Sequence, residues 1–377
     1  MDLSARLAEQ QDGGLTRRHR IVEGPQQLRL QVDSQELLNF SSNDYLGLSN
    51  DSAVKQAFIE CVNQYGVGTG AAHLITGHTR AHHELEEALA EFTGRDRALL
   101  FSTGYMANVG VLSALTDRHD VVYQDKLNHA SLIDAGLLSR ADGRRYQHAD
   151  VDDLRRQIDD RQGIIATDGV FSMEGDIAPL QSLAEIARQN NLMLMVDEAH
   201  GLGVLGKSGQ GSASMEGLGQ AEAPILMGTL GKALGTYGAF VAASETVIES
   251  LVQFARSYIY TTAPPAAIAC ATLVSLRIIQ NEPQRRDHLF KNIRYFQQLA
   301  NELGIDAGNN QTPIQSIKFM DIDTLMQAQQ TLESRGLLVS AIRPPTAPEP
   351  MLRITLTSEH QRQDIDELFA ALDGVLK

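Results

Sequence analysis

Short apolar runs alternate with longer amphipathic stretches through the middle of the chain. "ALLF" at Ala98, "DVVY" at Asp120, "GIIAT" at Gly163, "LMLMVDE" at Leu192 and "PILMG" at Pro224 have the length and side-chain type of buried strands. Between them, "RAHHELEEALAEFTG" sets Leu85, Leu89 and Phe92 on one helical face and stops at Gly94, a residue suited to a helix C-cap. "PLQSLAEIARQNN" turns Leu180, Leu183 and Ile186 inward in the same way. This rhythm predicts βαβ units around a mostly parallel central sheet, an α/β fold. After "TTAPPAA" at Thr261 the pattern changes to long helices followed by alternating strands, which places a boundary near Ala263. The expected division is an N-terminal helix and arm at 1–44, a large domain at 45–263 and a smaller α+β domain at 264–377. In the closing strand, "MLRITLT", Leu352, Ile354 and Leu356 point one way and Arg353, Thr355 and Thr357 the other, so Arg353 is expected on a polar face that can hold an anion.

Composition narrows the function classes. With 47 acidic against 32 basic residues and a formal charge of -15, the chain lacks the basic balance of a nucleic-acid groove. The longest apolar stretch, "AAIACATLVSLRII", is too short to span a bilayer and carries Arg277, and the opening "MDLSARLAEQQDGG" lacks the layout of a secretory signal. Cys61 and Cys270 stand far apart in sequence, and the expectation from them is no disulfide, no zinc knuckle and a reducing, cytoplasmic setting.

One stretch points to a different chemistry. "HGLGVLGKSGQG" from His200 matches the phosphate-loop pattern G-x-x-x-x-G-K-[ST] through Gly201, Gly206, Lys207 and Ser208, and "DEAH" from Asp197 precedes it. A working loop of this kind needs a helix starting at the Lys-Ser, because the phosphate sits on that helix N-terminus. Here "GKS" runs into "GQGSASMEGLG", whose glycines and serines oppose an immediate helix, and the acidic residue stands directly before the glycines rather than on a later strand. Nucleotide hydrolysis is therefore set aside.

Chemistry in βα folds collects at the carboxyl ends of the strands. Five groups fall there: "STGYMAN", "NHASL", "GVFSMEGD", Asp197 with His200, and "GTLGKALG". Pyridoxal phosphate (PLP) uses such a set, because it needs a lysine for its aldehyde, a carboxylate for its ring nitrogen, a group on its ring face and a helix N-terminus for its phosphate. On this reading Lys232, flanked by Gly231 and Gly235, is the lysine and Asp197 the carboxylate. Each residue alone has a plainer use: His129 or Asp197 as a helix cap, Ser172 and Thr229 in turns, Arg353 in an ion pair.

"NFSSNDYLGLS", "FSTGYMAN", "NHASLIDA", "GVFSMEGDIAPL", "VDEAHGLGVLG", "TLGKALG" and "AIRPPTAP", in this order, resemble the α-oxoamine synthase family of fold-type I PLP enzymes, from about residue 15 to the C-terminus. The resemblance implies the aspartate aminotransferase-like fold, PLP as cofactor, no metal, and catalytic roles for Lys232, His129, Asp197 and His200. Gly104, Tyr105, Ser172 and Thr229 join these four as cofactor contacts, with Thr262 supplied by the other subunit of a homodimer. Arg353 resembles the clamp for the amino-acid carboxylate, and Thr346 and Arg17 resemble acyl-substrate contacts, with Arg18 and Arg20 close enough to leave that register open. The implied reaction is a decarboxylative condensation of an amino acid with an acyl thioester. "IRPPT" favours L-alanine with pimeloyl-CoA or a pimeloyl carrier protein, as in biotin biosynthesis, over glycine with acetyl-CoA. The chain departs from the family at Ala71, Ala72 and His73, where relatives often carry glycine or serine and arginine.

Overall fold

The structure, a computed structural model, describes residues 2–13 and 15–376. The chain divides into two compact units: Leu46–Ser172 with Asp176–Arg286, and the residues up to Tyr45 with Met173–Gly175 and those from Asp287 onward.

Among the described residues the first unit carries a seven-stranded sheet. Its spatial order is Arg97–Phe101, Ala239–Ala243, Ile225–Thr229, Met193–Asp197, Gly163–Asp168, Val121–Asp125, Asp142–Tyr146. Ala239–Ala243 runs antiparallel to both neighbours and the other pairings are parallel. Val121, Val122, Ile164, Ile165, Leu194, Met195 and Val196 are completely buried. A parallel sheet covered on both faces produces such unbroken apolar runs instead of an alternation. The edge strand Asp142–Tyr146, "DGRRY", is polar and mostly exposed. Helix Arg80–Thr93 buries Leu85, Leu89 and Phe92 and ends on Gly94 in the left-handed region (φ 66°, ψ 40°), whose N–H returns to Ala90 and Glu91 carbonyls. Helix Leu180–Gln189 buries Leu180, Leu183 and Ile186.

Two sequence expectations change here. Helices Ser52–Tyr65 and Ala266–Asn281 pack on each other and bring Cys61 and Cys270 into a disulfide, with Cα atoms 6.3 Å apart across 209 residues of sequence. Distance along the chain gave the wrong expectation, because helix packing closes it. The same packing keeps Ala266–Asn281 in the first unit, so the division falls after Arg286 and not near Ala263.

The second unit joins the chain's N-terminal part to its C-terminal part. A four-stranded sheet runs Val22–Glu23, Arg29–Val32, Gln35–Asn39, Leu337–Leu338, and a three-stranded sheet runs Ile314–Lys318, Met351–Thr355, Ser340–Ile342. Met351–Thr355 is the central strand of the latter and every residue in it is buried. The expected open polar face of this strand is covered, and Arg353 is only 6% exposed. No described helix is long and apolar enough to cross a membrane.

Candidate active site

The sheet's strand ends surround a cavity of about 190 Å³ in the first unit. Segments following Phe101, Asp125, Asp168, Asp197 and Thr229 each contribute to its wall. Lys232 stands on a turn after the Ile225–Thr229 strand, half-buried, with Nζ 3.0 Å from His200 Nε2. The turn closes through the Gly235 N–H, which donates to Lys232 O. Gly235 has φ 67°, and a Cβ there would lie 2.4 Å from Ser49 N, so this position requires glycine.

Asp197 ends its strand buried, at 3% exposure. The Ala199 N–H donates to Oδ1 (2.9 Å) and Asn108 Nδ2 donates to Oδ2 (2.8 Å). The second proton of the same amide goes to Ser131 Oγ at 2.8 Å, and Ser131 Oγ lies 2.7 Å from His129 Nδ1. A continuous chain of hydrogen bonds thus links the carboxylate to the imidazole. His129 also caps helix Ala130–Ser139, accepting the Ser131 N–H at Nδ1. Burial is the main cause that holds His129 below the ordinary histidine range, so its ring is neutral at neutral pH. Its backbone N–H donates to Asp168 Oδ2 at 2.6 Å. Asp168 is fully buried, and burial together with the adjacent Asp197 pushes it well above the usual carboxylate range.

Gly104 and Tyr105 form the first turn of helix Gly104–Leu115, capped by Thr103, and both line the cavity. The N–H groups of a helix's first turn have no intrahelical acceptor and suit an anion. Tyr105 reaches outward, where its hydroxyl donates to Asp134. Ser172 and Thr229 also line the cavity. The Thr229 hydroxyl donates to Gly238 O (3.1 Å) and accepts from the Gly231 N–H (3.3 Å), so a phosphate contact requires it to leave Gly238. Thr262 is exposed and outside the cavity lining. Eight of the nine cofactor contacts expected from sequence therefore share one cavity.

Asn108, Ser131 and Asp168 were not anticipated. Asn108 lies within "STGYMAN", one helical turn beyond Gly104, and its complete burial shows only in the fold. Asp168 closes an apolar strand run just as Asp197 does, and the two are register partners on neighbouring strands.

The expected substrate contacts belong to the second unit. Arg353 Nη2 donates to Asn43 Oδ1 at 3.1 Å. Thr346 is exposed in a turn where its N–H donates to Arg343 O, and Arg17 is exposed beyond helix Leu3–Asp12. Arg20 is committed elsewhere, with both terminal nitrogens on the Glu333 carboxylate and Nε on Asp33.

The phosphate-loop letters serve packing. Lys207 and Ser208 lie in turns, and the short helix that follows begins only at Ser212. Glu198 accepts the N–H groups of Ser212 and Ala213, and Arg286 binds the carbonyls of Gly206 and Lys207. A loop whose carbonyls face an arginine is not arranged to cradle phosphate with its amides.

An amine, a carboxylate, a neutral imidazole and a helix N-terminus around one cavity fit PLP. The chain belongs to the aminotransferase class I and II family, whose sequence pattern matches residues 35–372, and within that fold to the α-oxoamine synthases. It is 53% identical over 375 residues to the 8-amino-7-oxononanoate synthase of Nitrosococcus oceani, an alignment covering 98% of this chain and 100% of that one. The structure matches 8-amino-7-oxononanoate synthase from Francisella tularensis with a TM-score of 0.81 and 34% identity, over 90% of this chain and 98% of that one. It matches serine palmitoyltransferase from S. paucimobilis with bound PLP–myriocin aldimine with a TM-score of 0.93 and 28% identity, over 99% and 96% of the two chains.

Proposed function

We propose that this chain binds PLP in the Lys232 cavity and catalyses the decarboxylative condensation of L-alanine with a pimeloyl thioester, on CoA or a carrier protein, to 8-amino-7-oxononanoate. The observation that carries the reading is the joint placement of Lys232, His200, Asp197 and His129 around one cavity. Full-length similarity to 8-amino-7-oxononanoate synthases supports the choice of substrates over glycine and acetyl-CoA.

When bound, PLP supplies an electrophilic aldehyde and an electron-withdrawing ring. Lys232 Nζ would hold the aldehyde and, as a free amine, would serve as the base for the substrate α-proton, with His200 Nε2 3.0 Å away to orient it. Asp197, fixed by Ala199 and Asn108, holds the proton of the ring nitrogen. The neutral His129 ring packs on the cofactor face, and the first turn of the Gly104 helix receives the phosphate. Arg353 holds the alanine carboxylate, and Thr346 with Arg17 contacts the acyl chain; the commitment of Arg20 to Glu333 and Asp33 leaves Arg17 and Arg18 as the arginines for that role.

The reading includes a homodimer in which Thr262 of one copy meets the phosphate of the other. Its exposed position, and the exposed apolar side chains Val67, Ile75, Leu137 and Tyr260, support that assignment. A cytoplasmic location belongs to the same reading, although the Cys61–Cys270 pairing removes cysteine content as its basis.

Borohydride reduction of the purified holoenzyme followed by peptide mapping tests the cofactor, with a pyridoxyl group expected on Lys232. Mass-spectrometric product analysis with alanine plus pimeloyl-CoA, set against glycine plus acetyl-CoA, tests the substrates. A product from the second pair alone overturns the substrate assignment, and an unlabelled Lys232 overturns the whole.

A further inference from the structure

The segment that departs from the family, around His73, leads into a second cluster of titratable side chains away from the PLP cavity. His78 follows the π-turn His73–Gly77, and His83 and Glu86 sit three residues apart on one face of helix Arg80–Thr93. One ligand atom from each of His78, His83 and Glu86 lies within 4.8 Å of the other two. We infer that His78, His83 and Glu86 form a binding site for a divalent transition-metal ion of the zinc type.

The donor set selects the ion class. Two imidazoles and one carboxylate suit Zn²⁺ and its neighbours, whereas Ca²⁺ and Mg²⁺ call for oxygen ligands. With metal–ligand bonds of about 2.0–2.1 Å, tetrahedral geometry separates ligand atoms by about 3.3 Å. His78 Nε2 and Glu86 Oε2 are 3.8 Å apart, so closing the site needs a shift of a few tenths of an ångström at that pair. The exposed His83 ring, now 3.3 Å from Glu87 Oε1, reaches the site by side-chain rotation, and water completes the shell.

The surroundings hold two of the three ligands in place. Glu86 Oε1 accepts the Leu100 N–H at 3.0 Å, leaving Oε2 for the ion. His78 Nδ1 lies 3.0 Å from His73 Nδ1, and His73 is buried and stacked on Tyr258 at a 15° interplanar angle. In the tautomer where His78 donates Nδ1–H to His73, its Nε2 lone pair is presented on the Glu86 side. This is the outer-shell arrangement that orients metal-binding histidines.

The test uses tag-free holoenzyme titrated with Zn²⁺ by calorimetry, and with Co²⁺ read by its visible d–d bands. One ion per chain is expected. His83→Gln and Glu86→Gln should each weaken binding by at least about tenfold while retaining the PLP absorbance, and His119→Gln, an exposed histidine elsewhere, should not. His83→Gln keeps the test open if Glu86→Gln fails to fold, since His83 is half-exposed. Wild-type protein that takes up no ion, or a His83→Gln variant that binds as wild type does, overturns the proposal. So does binding that is lost on Lys232→Ala. Failure of the metal site would leave the pyridoxyl label on Lys232 untouched, so the two readings stand or fall separately.

Discussion

Asn108 is expected to act on turnover through Asp197. Its amide spans 2.8 Å contacts to Asp197 Oδ2 and Ser131 Oγ inside a fully buried pocket. Asn108→Ala removes one of the two donors that orient the carboxylate. A hydrogen bond to such a group is worth about 1.5–3 kcal/mol, and each 1.36 kcal/mol is about tenfold in rate, so kcat should fall roughly ten- to hundredfold. KM for alanine should stay within about threefold, since the Asn108 amide is committed to Asp197 and Ser131. Steady-state kinetics with alanine and pimeloyl-CoA give the first number, and near-ultraviolet circular dichroism with the cofactor absorbance verifies the fold. The decisive measurement is a double-mutant cycle. If Asn108 works by positioning Asp197, Asn108→Ala in an Asp197→Asn background costs no more than about twofold. Full additivity of the two losses, or a single-variant kcat within about twofold of wild type, would refute the positioning role.

Asp197→Asn should retain the cofactor and lose most turnover, whereas Asp168→Asn, which imposes the neutral form that burial already favours, should keep kcat within about fivefold; equal losses in paired kinetic assays would contradict the division between them. His148 sits between Asp125 (3.0 Å) and Asp176 (2.9 Å); burial opposes its charge, but these two bonds raise it to about 10, above the unfolded 6.5. Its stabilisation is complete below pH 6.5 and lost as pH rises towards 10, so the melting-temperature gap between wild type and His148→Gln, worth about 3–5 kcal/mol at pH 6, should narrow up to pH 10; a constant gap counts against the pairing. His360 behaves oppositely. Buried against Phe40, chiefly by burial it falls to about 4, so the stability it contributes is present above pH 6.5 and lost as pH falls to 4, about 3 kcal/mol in all. Thermal melts across that window should show a steeper loss for wild type than for His360→Leu.

The strands that lead into the cavity were legible because a parallel sheet buried on both faces writes them as apolar runs, and because the residues that line the cavity follow them directly. "LMLMVDE" gives both Met193–Asp197 and its terminal acid. Two strands of the seven-stranded sheet escaped notice for physical reasons. Asp142–Tyr146 is a polar edge, and Ala239–Ala243 is an alanine-rich antiparallel insertion that contributes nothing to the cavity lining. The disulfide and the extent of the first unit depend on helix Ala266–Asn281 packing beside Ser52–Tyr65, a non-local contact with no local signature. Arg353 was found by alternation, but its burial was not, because alternation does not reveal that a central strand is covered on both faces.

The same limit explains why Asn108, Ser131 and Asp168 emerged only with the fold, and it clarifies what the strand ends achieve. Asp125, Asp168 and Asp197 terminate neighbouring buried strands, where three bare carboxylates would repel one another in a medium that screens weakly. The fold gives each a different resolution. Asp125 takes His148 as a cationic partner along with the Leu127 and Ala149 N–H groups. Burial, with the adjacent Asp197, pushes Asp168 well above the usual carboxylate range, and its Oδ2 accepts the neutral His129 N–H. Asp197 receives Ala199 and the Asn108 amide, both neutral, and faces the cavity. It lines the cavity with only neutral hydrogen-bond donors on its two oxygens, whereas Asp125 is bonded to His148 and lies outside the lining. That leaves it the acid at these strand ends that a protonated heterocycle can engage without first displacing another partner's charge.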